Sequence, residues 1–158
     1  MVVKSRLDLG YLALFLGMRV NQLVMERLRA AGFESVRESH GYVIQHLVER
    51  ERSITDLAAR MEVTQQAASK VVAELAALGI LEVLPGEEDR RAKKVRLSAR
   101  AWAVVKLTRQ LRGRIERQLM RAAGPDRYES ARSILTVCLG ALGGLERVRS
   151  RRVAPPEA

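Results

Sequence analysis

Residues 53–97 constrain the fold of this 158-residue chain more than any other stretch. Ser53 is placed to accept a hydrogen bond from the free amides of a helix over residues 54–61, with Leu57, Ala58 and Met61 turned inward. Glu62-Val63 leaves room only for a tight turn. Thr64 then caps a longer helix that carries Ala67, Ala68, Val71, Val72, Leu75 and Leu78 on one face, and Gly79 supplies a left-handed stop. Beyond Gly79 the apolar period changes from 3.6 to 2. Residues 80–84 and 93–97 therefore read as two short strands, joined by a charged hairpin tip over residues 85–92. Two helices at a tight turn followed by a hairpin form a winged helix-turn-helix.

The flanking segments are helical. Residues 7–31 keep rough helical spacing through Leu12, Phe15, Met18, Leu23, Met25 and Leu28, and Gly32 closes the helix. Residues 11–16 are apolar on every side, so this part must be covered on more than one face. A chain this short has little of its own to cover it with, and a second copy is the economical solution. A further helix over residues 39–49 turns Val43, Ile44 and Leu47 inward. Ser98 caps a long helix to about residue 122 with the stripe Val104, Leu107, Leu111, Ile115 and Leu119. Gly124-Pro125 breaks it, and a last helix over residues 127–145 carries Ile134, Leu135, Cys138, Leu139 and Leu142. The expected fold is mostly α with a small β-hairpin wing. It divides into an N-terminal dimerisation helix (7–35), a winged helix-turn-helix (36–98), C-terminal dimerisation helices (99–145) and a disordered basic tail (146–158).

Charge narrows the partners. The chain has 28 Lys+Arg against 18 Asp+Glu, a formal net charge of +10, which calls for a polyanion. Five of the basic residues are lysine and the rest arginine, the residue suited to bidentate contact with phosphate and guanine. The long helix is the most basic element, with Arg100, Lys106, Arg109, Arg112, Arg114, Arg117 and Arg121 against Glu116. Three readings of it stand: a solvated face, a phosphate contact near its start, or a partner for Glu34, Glu38, Glu49 and Glu51. The single cysteine, Cys138, lies on an apolar stripe and reads as an inert thiol, and one cysteine excludes an intrachain disulfide. No metal cluster, phosphate loop or Ser/His/Asp set is present, so neither an enzyme nor a cofactor is expected. His40 and His46 lie six apart and face different ways on a helix. Lys4 and Arg6 precede an apolar run as in a leader, but Asp8 and Arg19 interrupt the pattern and no cleavage site follows. A cytoplasmic protein without a membrane partner is expected.

The polar start of the second helix, Thr64, Gln65, Gln66, Ser69 and Lys70, suits base-edge contact, because a recognition helix meets bases with its N-terminal residues. The hairpin adds Asp89, Arg90, Arg91, Lys93 and Lys94. An arginine there suits the negative minor groove, with Asp89 orienting Arg91.

These residues also carry a family resemblance. The run through residues 53–57, then Val63-Thr64-Gln65-Gln66-Ala67-Ala68-Ser69-Lys70, residues 75–79, Asp89-Arg90-Arg91 and Leu97-Ser98 resembles the MarR family of winged-helix regulators. One departure is Arg100-Ala101-Trp102, where the family usually has a glycine soon after the strand. The resemblance implies a homodimer bound to double-stranded DNA: a transcriptional regulator, expected to repress from a palindromic operator and to be released by a small ligand. It implies a ligand site for which Met18, Gln22, His40 and Trp102 are candidates. The alternative is an architectural DNA-binding protein without an effector.

Overall fold

The computed structural model describes residues 7–85 and 93–150. The elements run α1 Leu9–Ala30, α2 His40–Leu47, β1 Arg52–Ser53, α3 Ile54–Met61, α4 Gln65–Ala77, β2 Leu81–Leu84, β3 Lys94–Leu97, α5 Ala99–Ala123, α6 Pro125–Ala141 and α7 Leu145–Arg149.

Side-chain caps set the helix starts. Asp8, Ser53, Thr64 and Ser98 each accept a hydrogen bond from the amide three residues on, at 2.8, 3.1, 3.1 and 3.1 Å. Each satisfies one of the donors that a helix start leaves free. The turn between α3 and α4 is closed by Glu62 at φ 56°, a left-handed conformation unusual for a residue with a Cβ. Gly79, at φ 68°, ends the α4 segment, and its amide and that of Ile80 return to the carbonyls of Ala76 and Leu75.

The sheet has strand order β1-β3-β2, both pairs antiparallel, with Arg52 opposite Val95 and Leu81 opposite Leu97. The core lies between this sheet and α2 to α5, with Leu57, Leu75, Ile80, Val43 and Val95 fully buried. α1 adds Val24 and Leu28 from its C-terminal half alone.

Several expectations change. β1 had no sequence signal, since two residues show no period. Ala67 is exposed, so the buried face of α4 rests on Ala68, Val72 and Leu75. The last helix starts at Pro125, whose fixed φ suits a first helical position, and stops at Ala141 instead of 145. Gly143, at φ 72°, turns the chain there, and α7 follows into residues that the sequence reading gave to a disordered tail. Cys138 is half-buried, and none of the α6 side chains is buried. Among the described residues, no helix is long and apolar enough to cross a membrane.

Candidate nucleic-acid interface

α4 is anchored from behind and free in front. Ala68, Val72 and Leu75 are buried, while Thr64, Gln65, Gln66 and Lys70 are exposed and Ser69 is half-buried. Gln65, Gln66, Ser69 and Lys70 fall at three- and four-residue spacings, so they share one face over the first turns. The structure thus gathers five of the sequence candidates at one helix start, where amide groups and the helix dipole favour an anion. Lys93 is exposed at the foot of the wing, and Lys94 pairs with Glu51 at 3.1 Å. Asp89, Arg90 and Arg91 lie outside the described residues.

The support for α3 and α4 comes from a residue that sequence reading passed over. Arg52 is buried, and its guanidinium donates to the His46 carbonyl at 2.6 Å and to an Asp56 carboxylate oxygen at 2.8 Å. Arg60 donates to the other Asp56 oxygen at 3.1 Å. These contacts tie the end of α2 to the start of α3. The Arg52 hydrogen bond, helped by the Arg60 charge, holds the Asp56 carboxyl below the usual carboxylate range, against a smaller opposing effect of burial. A depressed folded-state value gives stability that is complete above the ordinary carboxylate range and fades as acid protonates the folded carboxyl. Asp56→Asn should therefore lose about 1 kcal/mol at neutral pH, and the gap to wild type should shrink below about pH 3.5. Urea unfolding at both pH values measures this, and a gap that widens in acid would contradict it.

A cleft of about 560 Å³ opens between α1, α2 and α5. Val24, Met25, Leu28, Ile44, Val104 and Val105 form apolar wall, and Arg37, Arg109 and Arg112 stand on it against Glu38. Arg112 donates to Asn21 at 2.6 Å, and Asn21 donates to Glu38 at 2.7 Å, which links the elements around the cleft. Of the three readings of the basic helix, none anticipated this role for Arg109 and Arg112.

Sequence candidates for a ligand site fall elsewhere. Met18 and Trp102 are exposed on α1 and α5, and Gln22 borders a smaller hollow with Met25, Arg29 and Arg37. His40 is buried, accepts from the Arg37 amide at 3.2 Å, and holds Nε2 3.7 Å from Glu74 on α4. Burial keeps its imidazole below the ordinary histidine value; nearby Arg37 adds to this and Glu74 opposes it. His40 thus packs toward α4. The cleft residues come from three separated segments, which is why no local spacing showed them.

The arrangement of α2 to α4 with the strand pair on a long helix invites comparison with known proteins. Residues 36–92 match the sequence model of the MarR family. The match covers the helix-turn-helix and the strand β2 that follows it. Solved structures share the fold. The reduced form of MarR from E. coli superposes with a TM-score of 0.67 at 20% identity, covering 86% of this chain and 99% of the other. A variant of S. aureus MepR bound to an oligodeoxyribonucleotide gives 0.63 at 16% identity, covering 87% and 99%. S. aureus MepR bound to ethidium bromide gives 0.62 at 16% identity, covering 86% and 97%. No curated protein sequence matches the chain. These likenesses show the fold that the chain shares with MarR and MepR.

Proposed function

We propose that this protein is a sequence-specific regulator of transcription. It binds a palindromic DNA site as a homodimer, represses from it, and is released by a small ligand. The observation that carries the reading is the exposed polar start of α4, Thr64 to Lys70, on a helix whose opposite face is locked into the core. The net charge of +10 and the cations Arg90, Arg91, Lys93 and Lys94 support it as phosphate and minor-groove contacts, with Asp89 orienting Arg91. The oligodeoxyribonucleotide bound by the MepR variant is consistent with it. So is the MepR structure with ethidium, as a precedent for a small ligand on this fold. Here the cleft chemistry, three arginines on an apolar wall, favours an amphipathic anion.

Footprinting on DNA flanking its own gene tests the reading, with two protected half-sites about one helical turn apart as the expected result. Broad protection without a palindrome would mark an architectural binder instead. On the site so found, Gln65→Ala and Gln66→Ala should each weaken binding by roughly 1–3 kcal/mol and leave a scrambled duplex almost unaffected. Equal losses on both duplexes would remove α4 as the specificity element.

A further inference from the structure

Two basic side chains compete for one oxygen on α4. Glu74 Oε1 lies 3.3 Å from the Arg37 guanidinium and 3.7 Å from His40 Nε2. The competitors differ in setting. Arg37 is exposed and borders both the cleft and the smaller hollow beside it. His40 is buried, and among the described residues its Nε2 makes no hydrogen bond. Its Nδ1 accepts the Arg37 amide at 3.2 Å, so the neutral ring carries its proton on Nε2, facing Glu74. A second proton goes to Nδ1. It ends the bond from the Arg37 amide, because both groups are then donors, and it sets a full charge against Glu74. Both effects loosen Arg37 from its place. Burial opposes the charged ring most strongly, Glu74 favours it and Arg37 opposes it; among the described residues, these two are the charged groups that act on it. Drawing Arg37 away therefore makes protonation of His40 easier.

We infer that Arg37, His40 and Glu74 form a proton-linked switch, in which a proton on His40 claims Glu74 and releases Arg37 to hold an anion in the cleft. The inference rests on the reading of the cleft as the site of an anionic ligand. Linkage is reciprocal, so an anion that draws Arg37 off Glu74 must raise the proton affinity of His40.

The test uses the full chain, with benzoate, an apolar ring bearing a carboxylate, as the probe. The imidazole signals of the two histidines are titrated by NMR with and without saturating benzoate. The signal lost in His40→Asn, or kept in His46→Asn, is that of His40. Its midpoint should rise by at least about 0.5 pH unit with benzoate, the shift that a threefold coupling requires. Glu74→Gln, at an exposed position, leaves no charge for the two cations to contest. This variant should show a lower His40 midpoint without benzoate and bind benzoate more tightly than wild type at about pH 8. Its benzoate-induced rise should be less than half that of wild type, whereas direct attraction between bound carboxylate and ring would persist. A midpoint unmoved by saturating benzoate, or a rise as large in Glu74→Gln as in wild type, overturns the switch and leaves the cleft as an anion site. A wild-type chain that binds no benzoate at any pH tested overturns the reading of the cleft, and the switch with it.

Discussion

Phe15→Glu should convert the proposed dimer to monomers. In the single chain, Tyr11, Leu12, Leu14, Phe15 and Leu16 are all about half exposed, on different sides of α1. Tyr11 and Phe15 pack on each other there, with ring centroids 5.1 Å apart. Ile134 and Leu139 on α6, and Leu142 just after it, are also exposed. So much apolar surface on a monomer is unusual and marks a contact surface. A charge at position 15 enters a two-fold interface twice. At about 3 kcal/mol per copy the loss is about 6 kcal/mol, on the order of a 10⁴-fold rise in the dimer dissociation constant. Sedimentation equilibrium over a wide concentration range measures it. A wild-type monomer, or a variant that dimerises as well as wild type, would refute the dimer proposed through α1 and α6.

Leu75→Ala should be the most damaging substitution within the winged helix. Leu75 is fully buried where α4 meets the core, and its carbonyl accepts the Ile80 amide at 2.9 Å. Truncation leaves a cavity that neighbours only partly fill, at a cost of about 3 kcal/mol. Against a typical total stability of about 5–15 kcal/mol, that lowers the melting temperature by roughly 6–12 °C. Leu75→Met keeps the volume and should cost less than about 1.5 kcal/mol. Thermal unfolding of both variants decides the matter, and similar melting temperatures would show that this face of α4 is loosely packed.

What the sequence made legible follows from how local each signal is. Ser53, Thr64 and Ser98 act as caps because a cap needs one side chain and the next turn of the same helix. The change of apolar period after Gly79 located the hairpin to within a residue of β2 and β3. Arg52 was invisible, because a buried arginine with two acceptors reads in sequence like any surface charge. The cleft was equally hidden. Arg37 lies far along the chain from Arg109 and Arg112, and a solvated face is one of three readings of the helix that carries the latter two. Residue type alone makes His40 a ligand candidate, and its place against Glu74, set by the first turn of α2 pointing toward α4, has no local sequence signal. The end of α6 was placed late because the Leu139 and Leu142 spacing continues smoothly through a point where Gly143 breaks the helix.

Ser98 has a mechanical consequence. Its hydroxyl donates to the Gly79 carbonyl at 2.6 Å and accepts the Ala101 amide, while its own amide binds the Ile80 carbonyl at 3.0 Å. One serine therefore clamps the end of the α4 segment to the start of α5, so that a tilt of one would carry the other. α5 is a lever of 25 residues, about 37 Å long. In a dimer pivoting at its far end, a tilt of only ~5° would carry each reading head ~3 Å, about the rise of one base pair. In the regulator proposed above, gearing of that kind would let a slight wedge in the cleft beside α5 throw two heads out of step with a duplex, without unfolding either.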